Sequence, residues 1–571
     1  MSNRGAFRSR RVVLTLWVGI AISALGARQA LAAAGCGALS ALHAPSVTIT
    51  TAATVENPSS ISPSLAHARL ATPLCRVKGF IAPTRDSHIG FEVWLPPQAA
   101  WSHKLEAVGN GGYLGALMYG AMVPGFNLGY ATMTTDLGHL NPPHEPEYAA
   151  WALGHPQKII DFAYRAEHLA TQAAKRIIAA YYGAEPAHSY YSGCSAGGIE
   201  GIVELLRYPK DYDGYIIGDA TPDHVGQEME AMWNTLAASL ADPRHALTPP
   251  ELALVHKAVL RQCVGKDGGA PTDTFLTDPP ACDFEVSQLE CKPGQDPSDC
   301  LSPAAVAIFD KVYQGPVDPL THQSIAPGVT VGSELLWPRY FTGKKNPVPA
   351  DRPWSGMLAD MIYSDPEYLS REKYLAFNFG SDYHAILEKS IAGETVASVF
   401  DDRNRDLDAF ERAGGKVIQY HGWDDPNIPA LSAVEFFNSI VADQARRHHL
   451  TAAQAQRATL RFYRLFMVPG MGHCGGGAGP SEFGQPGPGP RPPGRVAEHG
   501  PLTALDRWVE QGIAPRQFVA ARLIASAHKV DMKRPICPYP EEPRWNGSSD
   551  PRDASSFTCA VPNSMRHAAS E

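Results

Sequence analysis

Apolar and polar positions alternate in two registers along this chain. Gly90-Phe91-Glu92-Val93-Trp94-Leu95 alternates like a strand and stops at Pro96. Leu105-Glu106-Ala107-Val108 is a second short strand that breaks at Gly109-Asn110-Gly111-Gly112. From Pro156 to Tyr182 apolar residues recur at spacings of three and four, which predicts a helix. His188 to Ser192 reads as a buried strand, and Gly198 to Leu206 as the helix after it. This is the rhythm of a parallel sheet with crossover helices, an α/β fold. It fails across 222–403, a stretch rich in Pro, Gly, Trp and Tyr with helical pieces such as Pro250 to Arg261. It returns with a strand at Lys416 to Tyr420, another at Leu460 to Val468 and a helix from Pro501 to Gly512. The Gly- and Pro-dense run from Gly475 to Arg495 is loop. The pattern predicts a core built from residues 35–221 and 404–571, with 222–403 inserted as a lid domain.

The start of the chain reads differently. Arg4, Arg8, Arg10 and Arg11 precede an apolar stretch from Val12 to Ala27, and Ala30-Leu31-Ala32-Ala33-Ala34 supplies small residues. The apolar run is short for a membrane span of roughly 20 residues. Residues 1–34 therefore read as a cleaved export signal. The expected location is secreted or periplasmic, with no membrane association after cleavage.

Composition narrows the function. With 571 residues the chain exceeds a single simple core. A formal net charge of −9 argues against nucleic acid as a partner. Ten cysteines in an exported chain read as a disulfide set. Local spacing suggests Cys263 with Cys282, Cys291 with Cys300 and Cys537 with Cys559. Spacing does not fix connectivity, and buried free thiols are the alternative. No C-x-x-C is present, so a zinc ribbon or a thioredoxin-type redox site has no support.

Candidate chemistry begins at Gly193-Cys194-Ser195-Ala196-Gly197, a G-x-S-x-G nucleophile elbow after a predicted strand. Serine needs an adjacent base and an orienting carboxylate to act as a nucleophile. In α/β hydrolases these follow in the order Ser, Asp or Glu, His, each at a strand end. Asp424 and Asp425 follow the strand 416–420, and His473 follows the strand 460–468. Either aspartate fits, and either could instead cap the turn before Pro426. Cys194 precedes the elbow apex by one residue, which disfavours it as the nucleophile. Cys194 adjoins Ser195 and Cys474 adjoins His473. If the two cysteines pair, one covalent bond holds nucleophile and base together. The amide of Ala196, next to the nucleophile, is the natural first oxyanion donor. A second donor belongs in a glycine-rich loop such as 109–112.

Cys194-Ser195, His421-Gly422-Trp423-Asp424-Asp425 and Gly472-His473-Cys474 together resemble the tannase and feruloyl esterase family, which includes mono(2-hydroxyethyl) terephthalate hydrolase. The resemblance runs from about Cys36 to Cys559. It implies an α/β-hydrolase core with a large inserted, disulfide-rich lid. It implies Ser195, Asp425 and His473 as the triad, and Gly112 and Ala196 as the oxyanion hole. It implies the bridges Cys36–Cys75, Cys194–Cys474, Cys263–Cys282, Cys291–Cys300 and Cys537–Cys559. Catalysis would need no cofactor. A structural calcium ion is implied in the lid, held by Asp267, Asp273 and the carbonyls of Gly269 and Phe275, with Val264 replacing the usual first aspartate. The implied substrate is a small aromatic ester, such as a galloyl or feruloyl ester. A terephthalate half-ester is the alternative, although the arginine that would bind its carboxylate has no clear counterpart. A peptidase or acyltransferase with the same triad, and a non-catalytic secreted binding protein of the same fold, are the readings from other classes. Trp337, Tyr340, Phe341 and the segment Trp354 to Tyr363 are expected as core or pocket lining, and Ile428 as a pocket border.

Overall fold

The computed structural model describes residues 35–141, 149–240, 246–342, 356–365, 368, 370–401, 404–486, 500–524 and 529–562. The expected export signal, residues 1–34, lies outside them. Seven strands come first: β1 (Val47–Val55), β2 (Leu74–Ile81), β3 (Ile89–Leu95), β4 (Lys104–Val108), β5 (Ala131–Thr135), β6 (His188–Cys194) and β7 (Gly214–Gly218). A short hairpin, β8 (Ser390–Ile391) and β9 (Glu394–Thr395), precedes β10 (Lys416–Gly422) and β11 (Tyr463–Val468). Two further hairpins close the chain: β12 (Phe518–Ile524) with β13 (Lys529–Ile536), and β14 (Glu542–Trp545) with β15 (Phe557–Ala560).

Nine strands form one mixed sheet in the order β1-β2-β3-β5-β4-β6-β7-β10-β11. β1, β2, β3 and β5 pair antiparallel, while every pair from β5 through β4, β6, β7 and β10 to β11 is parallel. The parallel strands are buried on both faces, as crossover helices require. The alternation expected of β3 does not mark a solvent face, because all seven of its residues are buried. Glu92 is fully buried there, bonded twice by Arg76 at 2.8 Å and once each by Trp94 and Tyr119. A carboxylate with that many partners is a satisfied core group.

The long predicted helix is one helical run with a wider turn inside it. α-Helix over Pro156–Ile160 passes through a π-turn at Asp161–Arg165 into α-helix over Ala166–Tyr182. The ion pair between the Arg165 and Asp161 side chains sits on that turn. The helix after the elbow starts at Ala196, two residues earlier than its apolar spacing suggests.

Between β7 and β10 the described residues add no strand to the large sheet. Helices at His224–Thr235, Pro249–Cys263 and Pro303–Gln314 dominate this region. Thr248 and Glu251 form a capping box on the second of them. A separate apolar cluster forms here around Val255, Leu276, Phe309 and the fully buried Trp337.

All ten cysteines are paired, which removes the free-thiol alternative. Cys36 joins Cys75, and Cys194 joins Cys474. Cys263 joins Cys282, Cys291 joins Cys300, and Cys537 joins Cys559. This is the pairing the resemblance implies. The first bridge ties the segment before β1 to β2, where Cys75 is buried. The bridges Cys263–Cys282 and Cys291–Cys300 close two short loops between β7 and β10, 19 and 9 residues apart in sequence. No helix among the described residues is long and apolar enough to cross a membrane.

Candidate active site

Strand register builds the site. Cys194 on β6 and Tyr420 on β10 are both level with Gly218 on β7. The next residue on each strand is therefore Ser195, Asp219 or His421, three polar side chains side by side at the C-terminal edge. Gly422 on β10 is level with Val468 on β11, and the loop after Val468 carries His473 to the same edge.

Ser195 holds a backbone conformation of φ 63° and ψ −131°, between β6 and its helix. Glycines permit the sharp turn: a Cβ on Gly193 would stand 2.3 Å from the Gly197 carbonyl, and one on Gly197 would stand 2.6 Å from that of Asn110. His473 Nε2 lies 2.7 Å from Ser195 Oγ, and His473 Nδ1 lies 2.8 Å from Asp425 Oδ2. Asp425 is fully buried, and its other oxygen accepts from the amides of Asn427 and Ile428. Asp424 is buried apart from this chain of bonds, and its Oδ1 has no partner. Burial pushes its pKa well up. The two sequence candidates thus separate, with Asp425 on the histidine.

Two further groups shape the electrostatics. His421 Nε2–H donates to the Ile428 carbonyl at 2.9 Å and lies 3.4 Å from Asp425 Oδ2. Asp219, fully buried, accepts from the Gly422 amide and lies 3.7 Å from His421. Burial disfavours the charge on Asp425, yet His473 and His421 outweigh it and hold this carboxyl below its ordinary range. Burial also works against the His473 imidazolium, but the Asp425 carboxylate prevails and raises its pKa. Asp219 goes the other way, pushed up to about 7 by burial. Sequence reading missed Asp219 and took His421 only as the end of a strand. A polar residue directly after a wholly apolar strand, as Asp219 is after Gly214–Gly218, is the signal that would have found the first.

The cleft beside Ser195 has about 650 Å³ of empty space, counting its open mouth. Gly112 and Ala196 both line it. Gly112 sits at φ +56°, and a Cβ there would meet nothing within 4 Å. Glycine is required for the conformation rather than for space. The loop is fixed from below by the Asn110 side chain on the Thr135 carbonyl and by Glu200 on the Asn110 amide. Tyr340, Phe341 and Ile428 line the cleft, with Tyr340 edge-on to His473, while Trp337 belongs to the separate core. Residues 351–355, with Trp354, lie outside the described residues; Met357 to Ile362 are buried.

The expected calcium ligands are close together but engaged otherwise. Asp267 accepts backbone N–H bonds from Gly265, Gly269 and Thr277. Asp273 accepts from the Ala270 amide and pairs at 2.7 Å with Arg534, a fully buried guanidinium from β13. Arg534 stacks 3.8 Å from the Phe557 ring and 5.6 Å from that of Phe275. With one carboxylate replaced by Val264 and a built-in cation on another, these residues do not fit a calcium shell of six to eight oxygens. The chain supplies its own positive charge instead.

The family model described as tannase and feruloyl esterase matches residues 75–560. An uncharacterized esterase of Xanthomonas campestris is 34% identical over 556 residues, covering 94% of this chain and 93% of that protein. Feruloyl esterase B of Aspergillus niger is 28% identical, covering 86% of this chain and 88% of that protein. The crystal structure of feruloyl esterase B from Aspergillus oryzae superposes with a TM-score of 0.76 at 25% identity, covering 92% of this chain and 99% of that one.

Two measurements follow from this geometry. The bond between Cys194 and Cys474 spans 280 residues with Cα atoms 6.0 Å apart. Replacing both cysteines by serine is expected to lower unfolding free energy by up to about 5 kcal/mol. It should also cut ester turnover more than removal of Cys537 and Cys559 does; equal losses would refute a link to the site. Exhaustive chelation should leave the melting temperature within about 1 °C, whereas a stabilising ion held well above its Kd would contribute about 2.7 kcal/mol.

Proposed function

This chain belongs to the tannase and feruloyl esterase family, and we propose that it is an exported serine carboxylic ester hydrolase of aromatic, phenolic acid esters such as galloyl or feruloyl esters. One observation carries the mechanism: a single imidazole bonds Asp425 through Nδ1 and Ser195 through Nε2. Ser195 Oγ attacks the ester carbonyl while His473 Nε2 takes its proton. Asp425 fixes the tautomer and stabilises the imidazolium. The tetrahedral oxyanion sits between the amides of Ala196 and Gly112. On collapse the C–O bond to the alcohol breaks, and His473 returns its proton to the leaving oxygen. Water then attacks the acyl-enzyme, giving its proton to His473, and Ser195 leaves with that proton. The residues 1–34 pattern and five disulfides support export.

His421 and Asp219 act behind the imidazole. His421 lies 3.4 Å from Asp425 Oδ2, the same oxygen that His473 bonds, and so helps keep that buried carboxyl ionised.

Ser195→Ala is expected to lower kcat on methyl ferulate or methyl gallate by at least about 10³-fold. Wild-type turnover no faster than this variant would sink the hydrolase reading. The pH profile gives an independent check. His473 accepts a proton only when neutral, so kcat/KM falls tenfold per unit below its pKa. Because that pKa is raised, the acid limb should lie above about 6.5, the unperturbed value. A limb well below pH 6 would contradict the Asp425–His473 assignment.

A further inference from the structure

The helix His224–Thr235 follows β7 and presents His224, Gln227, Glu228, Ala231 and Thr235 to the cleft, all on one face at spacings of three and four. Glu228 is the one carboxyl among the described residues that line this cleft. It is 5% exposed, and one oxygen is held by the Tyr113 hydroxyl, itself bonded by the Met357 backbone. Tyr113 adjoins Gly112 and stacks near His224. The mechanism proposed above does not use Glu228.

Direction across the cleft assigns it a place. His473 must reach the leaving oxygen, so the alcohol lies on the side of His473, Asn427 and Tyr340. The acyl group then points away from these residues, and Tyr113, His224 and Glu228 are polar groups lining the same cleft that it can reach. Ile199, Ile428 and Phe341 make the remaining lining apolar, which suits an aromatic ring.

Resting on the ester-hydrolase reading, we propose that Glu228, oriented by Tyr113, binds a free ring hydroxyl of the acyl group and selects hydroxylated aryl esters over their methyl ethers and over aryl esters bearing a carboxylate. A phenol donates to the carboxylate oxygen that Tyr113 leaves open, whereas a methoxy group has no proton to give. A second carboxylate on the ring would face a like charge. Burial pushes Glu228 up to about 7 and His224 down to about 4, so the like-charge effect belongs above pH 7, where Glu228 is ionised and the neutral His224 adds no cation.

The test compares methyl 3,4-dihydroxycinnamate, methyl 3,4-dimethoxycinnamate and unsubstituted methyl cinnamate in kcat/KM. The wild type should prefer the dihydroxy over the dimethoxy ester by roughly tenfold to a hundredfold, the range of a hydrogen bond to a charged group. Glu228→Gln, whose amide both donates and accepts, should bring that ratio within about threefold of one, chiefly through KM. The ratio is internal to each enzyme, so partial loss of folded protein cancels. Should Glu228→Gln not fold, Tyr113→Phe supplies the second variant and should also reduce the ratio. A wild-type ratio near one, or a ratio unchanged in the variants, overturns the proposal. Ser195-dependent hydrolysis of methyl cinnamate with no such preference refutes the Glu228 assignment alone. No Ser195-dependent hydrolysis of any ester refutes the underlying reading.

Discussion

The hydrogen-bond register of the parallel strands is the constraint on which the site depends. With Cys194, Gly218 and Tyr420 level across β6, β7 and β10, the next residues along the three strands are Ser195, Asp219 and His421. A shift of one residue in any of these pairings would point the wrong side chain at the cleft and turn an apolar one outward. Register is secured by burial on both faces, and the glycines of the elbow let the following helix pack directly on the loop 109–112. Ser195, Gly112 and Ala196 are thereby placed by one packing arrangement.

What register brings together, electrostatics must then tolerate. Asp219, His421 and Asp425 are all fully buried, and His473 is nearly so. Isolated charges there would be costly, since burial penalises every ionised form. Alternation of acid and imidazole solves this: Asp425 Oδ2 faces both His473 and His421, and His421 Nε2 faces both Asp425 and Asp219. The same cluster raises the pKa of His473 and depresses that of Asp425.

A second buried charge solution appears between the region that follows β7 and the C-terminal hairpins. Arg534 pairs with Asp273 and lies against Phe557 and Phe275. It ties a cystine-closed loop to β13 without an ion. The disulfide Cys263–Cys282 closes the loop that carries Asp273, while Arg534 precedes the Cys537–Cys559 loop. Covalent closure thus limits the freedom of the Asp273 segment before the buried pair forms, which reduces the ordering cost of making it.

The fold was legible where pattern and periodicity are local. β3, β4, β6 and β10, the helices around them and the loss of rhythm over the insertion all follow from apolar spacing and from Gly and Pro punctuation. Ser195 and His473 as candidates followed from short motifs, while the choice of Asp425 and the pairing of ten cysteines came from the family resemblance those motifs carry. Tertiary structure decided what spacing cannot carry. It separated Asp425 from Asp424, adjacent residues that strand ends alone leave equivalent. It placed Asp219 and His421 beside the base through inter-strand register, and it put Arg534, 261 residues from Asp273, where a metal ligand set was expected. It brought Glu228 on the helix His224–Thr235 against Tyr113 on an early loop. A sequence encodes which residues can be buried or can turn. Which buried charges meet depends on contacts between remote segments, and those exist only once the sheet has closed its register and the insertion has packed on it.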